Sequence, residues 1–121
     1  MAMRSDIVTA LQADTATIAN GASISGDIAL NSLRLFAIQM PASWTAANLT
    51  FQVSPDGGTT WMNLYDYLGN EYTVTAAASR FIILPPADFA AISLLRIRSG
   101  TSGSAVNQGG DRILTLIGRT I

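Results

Sequence analysis

From about residue 15 onward, the alternation of apolar and polar positions divides the chain into short extended segments separated by turn residues. In NLTFQVS, Leu49, Phe51 and Val53 fall on one side of an extended backbone and Thr50, Gln52 and Ser54 on the other, the period of two that marks a half-buried strand. LRLFAIQM alternates over a similar length and stops at Pro41, which has no N–H to give to a ladder. ATIANGASISGDIAL scatters Ile18, Ile24, Ile28 and Leu30 among small polar residues and glycines, and reads as two edge-like strands. WMNLYDY, a turn at LGN, EYTVT, RFIIL, LLRIRS and RILTLIGRT complete the set. Strands spaced by roughly ten residues, with Gly, Asn, Asp and Pro at the joints, predict an all-β fold, an antiparallel β-sandwich of jelly-roll-like type. Residues 15–121 make this one domain, and residues 1–14 a short N-terminal arm. Helix is expected only in the first dozen residues, near PASWTAAN and near PADFAAI. GTSGSAVNQGGD has no apolar period and is read as a long loop before the last strand, of a length that usually signals function or mobility.

Composition narrows the function classes. A chain of 121 residues supports one core, and a globule of this size buries roughly two-thirds of its unfolded surface. Apolar residues make up 49% of the chain and charged residues only 12%, about half the usual share, which suits a surface covered by neighbours. All seven basic residues are arginine, the side chain suited to planar, bidentate contacts at interfaces. With a net charge of −1 and no basic run, nucleic-acid binding is not expected. The longest apolar runs are broken by proline and acid well short of a membrane span, and the first residues have no signal-like apolar core. The expectation is a soluble protein that stays in the cytoplasm where it is made. Met3, Ile7 and Leu11 give the arm an apolar character that suits docking on a neighbour.

The stretch FQVSPDGGTTW matches S-x-D-x-G-x-T-W at Ser54, Asp56, Gly58, Thr60 and Trp61. This spacing resembles the Asp-box of sialidases and related β-propeller proteins. Its physical content is a hairpin: Ser54 and Asp56 bond turn amides, glycine supplies positive φ, and Trp61 folds back over the turn. A propeller needs at least four blades of four strands, which this chain cannot supply. With no His and no Cys, Ser–His and Cys–His nucleophiles are excluded. The acids lie mostly in turns, where capping is the default, and offer neither the paired carboxylates of a glycosidase nor a dense metal loop. No catalytic residue, metal or cofactor is expected. Arg96, Arg98, Asp111 and Arg112 flank the glycine-rich loop and are expected to pin it, within one chain or between subunits. Trp44 joins them as an interface candidate, and the tyrosines and tryptophans are the stacking faces a sugar would need.

MPASWTAANLTFQVSPDGGTTWMNLYD and RIRSGTSGSAVNQGGDR together resemble a family of small proteins encoded by tailed phages among virion structural genes. The likeness covers roughly residues 20–119, and its most specific pieces are MPASWTAA (Met40–Ala47) and RSGTSGSAVNQGGDR (Arg98–Arg112). It implies a capsid decoration, or cement, protein that binds the major capsid protein on the virion surface as a homo-oligomer. A homotrimer is expected, because capsid lattices offer three-fold junctions. The alternative it implies is a carbohydrate-binding module of a head spike or tail fibre, with a host glycan as ligand.

Overall fold

The computed structural model describes residues 12–120. In chain order its strands are β1 (Gln12–Ile18), β2 (Ile28–Ala29), β3 (Arg34–Gln39), β4 (Leu49–Ser54), β5 (Met62–Asn63), β6 (Phe81–Ile83), β7 (Leu94–Ser99) and β8 (Arg112–Arg119). They form two four-stranded antiparallel sheets, β1-β8-β3-β6 and β2-β7-β4-β5, packed as a β-sandwich. The pairing is nested: β1 lies beside β8, β2 beside β7, β3 beside β6 and β4 beside β5.

The period of two sets the core. Ile18, Leu35, Ile38, Leu114 and Leu116 of the first sheet meet Leu49, Phe51, Leu95 and Ile97 of the second, all buried. A 3-10 helix, Pro86–Phe89, starts where Pro85 and Pro86 set the backbone and drops Phe89 into the same core. There Phe51, Tyr72 and Phe89 pack edge to face, with centroids 5.6–6.1 Å apart. No helix among the described residues is long and apolar enough to cross a membrane.

Several boundaries differ from the sequence reading. β1 begins at Gln12, so residues 12–14 belong to the sandwich and not to the arm. This strand is built from Ala and Thr outside and only Ala16 and Ile18 inside, too little contrast to mark its start. PASWTAAN is not helical; Trp44 Nε1 closes it as a turn by donating to the Ala47 carbonyl at 3.0 Å. EYTVT forms no ladder: its bridges are isolated, Tyr65 with Glu71 and Leu49 with Val74, because the segment crosses β4 at one point and leaves. Met3, Ile7, Leu11 and the helix expected in the first dozen residues lie outside the described residues, apart from Gln12 in β1.

Candidate functional site

The box after β4 is a closed hydrogen-bonded unit. Ser54 Oγ accepts from the Gly58 amide at 2.7 Å and donates to Asp56 Oδ1 at 2.9 Å. Asp56 Oδ1 also accepts the Thr60 amide at 2.8 Å, while Oδ2 takes the Thr60 hydroxyl at 2.6 Å. Gly57 and Gly58 turn the chain with φ of 73° and 100°. The bonds from Thr60, its hydroxyl first and its amide next, hold the Asp56 carboxyl below its ordinary value of 3.8. Both carboxylate oxygens are thus occupied within the turn.

Trp61 leaves this hairpin and is covered by the Arg96 guanidinium, 3.8 Å from the ring centroid. Arg96 Nε in turn bonds Asp27 Oδ1 at 2.7 Å. Two residues further along β7, Arg98 is buried and reaches Asn63 Oδ1 at 2.7 Å, and Glu71 Oε2 and Thr50 Oγ1 at 3.3 Å each. Glu71 also accepts the Ser102 amide. The outer face of the β2-β7-β4-β5 sheet is therefore polar and internally bonded. Arg98 is engaged within its own chain and ties the start of the glycine-rich loop to the Tyr65–Glu71 turn.

The rest of that loop is held by a residue that composition does not single out. Gln108 is 1% exposed and uses its whole amide. Oε1 accepts from the Thr45 amide at 2.8 Å and from Arg112 Nε at 3.1 Å, and Nε2 donates to the Thr45 carbonyl at 3.0 Å and to Ser99 Oγ at 2.7 Å. Its main chain bonds Gly21 and Ala22. Asp111 accepts the Asn20 amide at 2.8 Å and so also ties the loop to the β1–β2 connection. The pinning expected of arginine and aspartate is achieved through Gln108, with Arg112 and Asp111 making separate bonds. Gly100 opens the loop at φ 91°, where a Cβ would stand 2.5 Å from the Ser104 carbonyl oxygen. A side chain does not fit there.

The other sheet presents a different surface. Cross-strand register places Ala13, Ile117, Ala37 and Ile83 in one row of its outer face and Thr15, Thr115, Gln39 and Phe81 in the next, with Thr17 opposite Ile113 beyond them. None of these positions is charged. Ile83 is 83% exposed, and Phe81 and Ile113 56% each. A shallow groove at the Phe81 end is lined by Met40, Ser79 and Arg80. Charges lie around these rows: Arg80 beside Phe81, Asp14 on β1, Arg112 at the start of β8, and Arg34 facing Arg119 at the far end. Sequence reading did not select Phe81, Ile83 or Ile113, because in RFIIL and RILTLIGRT apolar residues occupy both faces and the outward ones carry no distinguishing sign.

A second exposed group sits on the turn after β5. Asp66 Oδ1 accepts the amides of Leu68 and Asn70, and this presents Tyr67, 95% exposed, beside Tyr65 and Leu68. Trp44, by contrast, packs against the core. Among the described residues, no group of three or more His, Cys, Asp or Glu is placed to hold a metal ion. The chain matches no protein-family model, no curated protein and no solved structure.

Proposed function

We propose that this protein is a capsid decoration protein of a tailed phage, which attaches to the major capsid protein as a homo-oligomer and stabilises the shell by adhesion rather than by turning over a substrate. The observation that carries this reading is the outer face of the β1-β8-β3-β6 sheet, whose central rows hold no charged residue and which exposes Phe81, Ile83 and Ile113. Phe81 and Ile83 stand side by side on β6, with Ile113 apart from them on β8, and exposed apolar side chains grouped in this way suit contact with another protein. The nested strand pairing supports the jelly-roll form of the sandwich, an architecture shared by viral capsid and lectin domains. Fold alone does not choose between those uses, so the surface has to. The homotrimer and the place on the virion surface belong to the same proposal and rest on the resemblance to phage structural proteins.

Tyr65 and Tyr67 favour a second reading, a glycan-binding module of a head spike or tail fibre, since exposed aromatic faces suit stacking on sugars. Trp61 is a poorer platform because Arg96 already covers one face. The experiment that separates the two mixes purified protein with phage particles lacking it and with host-cell glycans. Saturable binding to particles, weakened by Ile83→Lys or Ile113→Lys and untouched by Tyr67→Ala, supports the decoration role. Binding to glycans that Tyr67→Ala abolishes, with none to particles, supports the other.

A further inference from the structure

The four sheet edges of the sandwich are not equally protected. On β1 the Asp14 carboxylate takes the Thr15 amide at 2.8 Å, placing a charge against the edge. β2 is two residues long and adjoins the Asp27–Arg96 ion pair. Past β5 the chain pairs again, with the Tyr72 amide donating to the Leu64 carbonyl at 2.8 Å. Short strands, charges and covering segments are how natural sheets prevent edge-to-edge association. β6 carries no charge, no proline and no bulge, and displays Phe81 and Ile83.

The hydrogen-bond phase of β6 is fixed by its other neighbour. The Met40 amide donates to the Arg80 carbonyl at 2.7 Å and the Leu84 amide to the Phe36 carbonyl at 2.9 Å, with Ile82 opposite Ile38 between them. Alternation in an antiparallel pair then turns the N–H and C=O groups of Phe81 and Ile83 outward.

We infer that β6 is a self-association edge, pairing antiparallel with β6 of a second copy across a two-fold axis at Ile82 and joining two four-stranded sheets into one of eight strands. In that register Phe81 faces Ile83 of the second copy on both sides of the axis. The four outward backbone groups of each strand meet the same four of the other, leaving none unpaired. Arg80 falls opposite the second copy's Leu84, so no like charges are brought together. β6 is also short, three residues between Arg80 and Leu84, but its outward groups are apolar and uncovered among the described residues. The other edges carry a charge or a covering segment, which leaves β6 as its own best partner. A three-residue edge buries less than the roughly 800 Å² per partner of a standard interface, so the pairing is expected to be weak in solution and reinforced where copies are concentrated on a shell. An isologous contact of this kind is two-fold, and a trimer would need a different, heterologous contact.

The inference rests on the self-association part of the proposed function and not on the capsid. Sedimentation of the full chain up to about 100 μM, within the weak range such an edge contact implies, should show a concentration-dependent dimer. Ile83→Lys should sediment as a monomer and melt at the unchanged temperature. Because the chain has no cysteine, single replacements report cleanly. Ile82→Cys should oxidise to a disulfide dimer at least about tenfold faster than Ile83→Cys, since the axis brings residue 82 of the two copies to about 4.5 Å between Cα atoms, within disulfide reach. A monomer throughout, a trimer, a dimer indifferent to Ile83→Lys, or faster cross-linking through residue 83 would each overturn the edge pairing. If such a protein still bound particles, the decoration role would stand without it.

Discussion

Thr45 and Gln108, 63 residues apart, hold each other by a two-point amide contact: the Thr45 N–H donates to Gln108 Oε1 at 2.8 Å, and Gln108 Nε2 donates back to the Thr45 carbonyl at 3.0 Å. The contact joins MPASWTAA to RSGTSGSAVNQGGDR. Both are irregular in backbone, and each supplies the hydrogen-bond partners the other lacks. Gln108→Ala would leave the Thr45 amide and carbonyl and the Ser99 hydroxyl without their buried partner. Each unsatisfied group costs about 1–3 kcal/mol, so an overall loss of about 2–4 kcal/mol is expected in a denaturant titration.

Gly100→Ala should be as damaging for a steric reason. At φ 91° the added methyl would meet the Ser104 carbonyl oxygen and the Val106 amide, both backbone atoms that cannot swing aside. A destabilisation of about 2 kcal/mol or more is expected by thermal unfolding, whereas Gly103→Ala, where nothing lies close, should change little.

The strand pattern was legible in the sequence wherever one face is apolar and the other polar, as in β4, β7 and most of β3. In ATIANGASISGDIAL it marked the two edge strands β1 and β2 but missed the start of β1, whose Ala and Thr residues give little contrast, and it overread EYTVT, where isolated bridges replace a ladder. In the box at Ser54–Trp61 the bonds of Ser54 and Asp56 to turn amides and the positive φ of glycine were legible, because such a turn is local, whereas the Thr60 hydroxyl bond and the Arg96 cover on Trp61 were not. Gln108 was not legible: a buried glutamine in a Gly- and Ser-rich run looks like any loop residue, and its partners are distant in sequence. Phe81 and Ile83 were read as strand residues, but which face they occupy depends on the register of β3 against β6, which one strand alone does not contain.

The box also sets a pH dependence. The folded carboxyl of Asp56 lies below its ordinary value of 3.8, so the ionised, hydrogen-bonded form is the stabilising one. Its contribution is complete above pH 3.8 and is lost as the pH falls through the lower folded value. Asp56→Asn should therefore lower the melting temperature at pH 7, and the gap between the two proteins should narrow below pH 3.8.

At the alkaline end Tyr72 acts in the opposite sense. Burial first, then the hydrogen bond to Asp88 and the charge of that carboxylate, push its hydroxyl well above the ordinary 10.0. The neutral form is the stabilising one, so its contribution is complete below pH 10 and is lost as the pH rises through the folded value. Tyr72→Phe should remove the Asp88 bond at pH 7 at a cost of about 1 kcal/mol, measured by denaturant titration.

Particle rupture tests the central claim, adhesion to a phage shell, most directly. Heads lacking the protein should be heated beside heads to which it has been added back, with release of packaged DNA followed by dye fluorescence. The account expects intact assembly in both, and rupture at a lower temperature without the protein, restored by the wild-type chain and less well by Ile113→Lys. Equal rupture temperatures with and without the protein, at full occupancy of the particles, would contradict it.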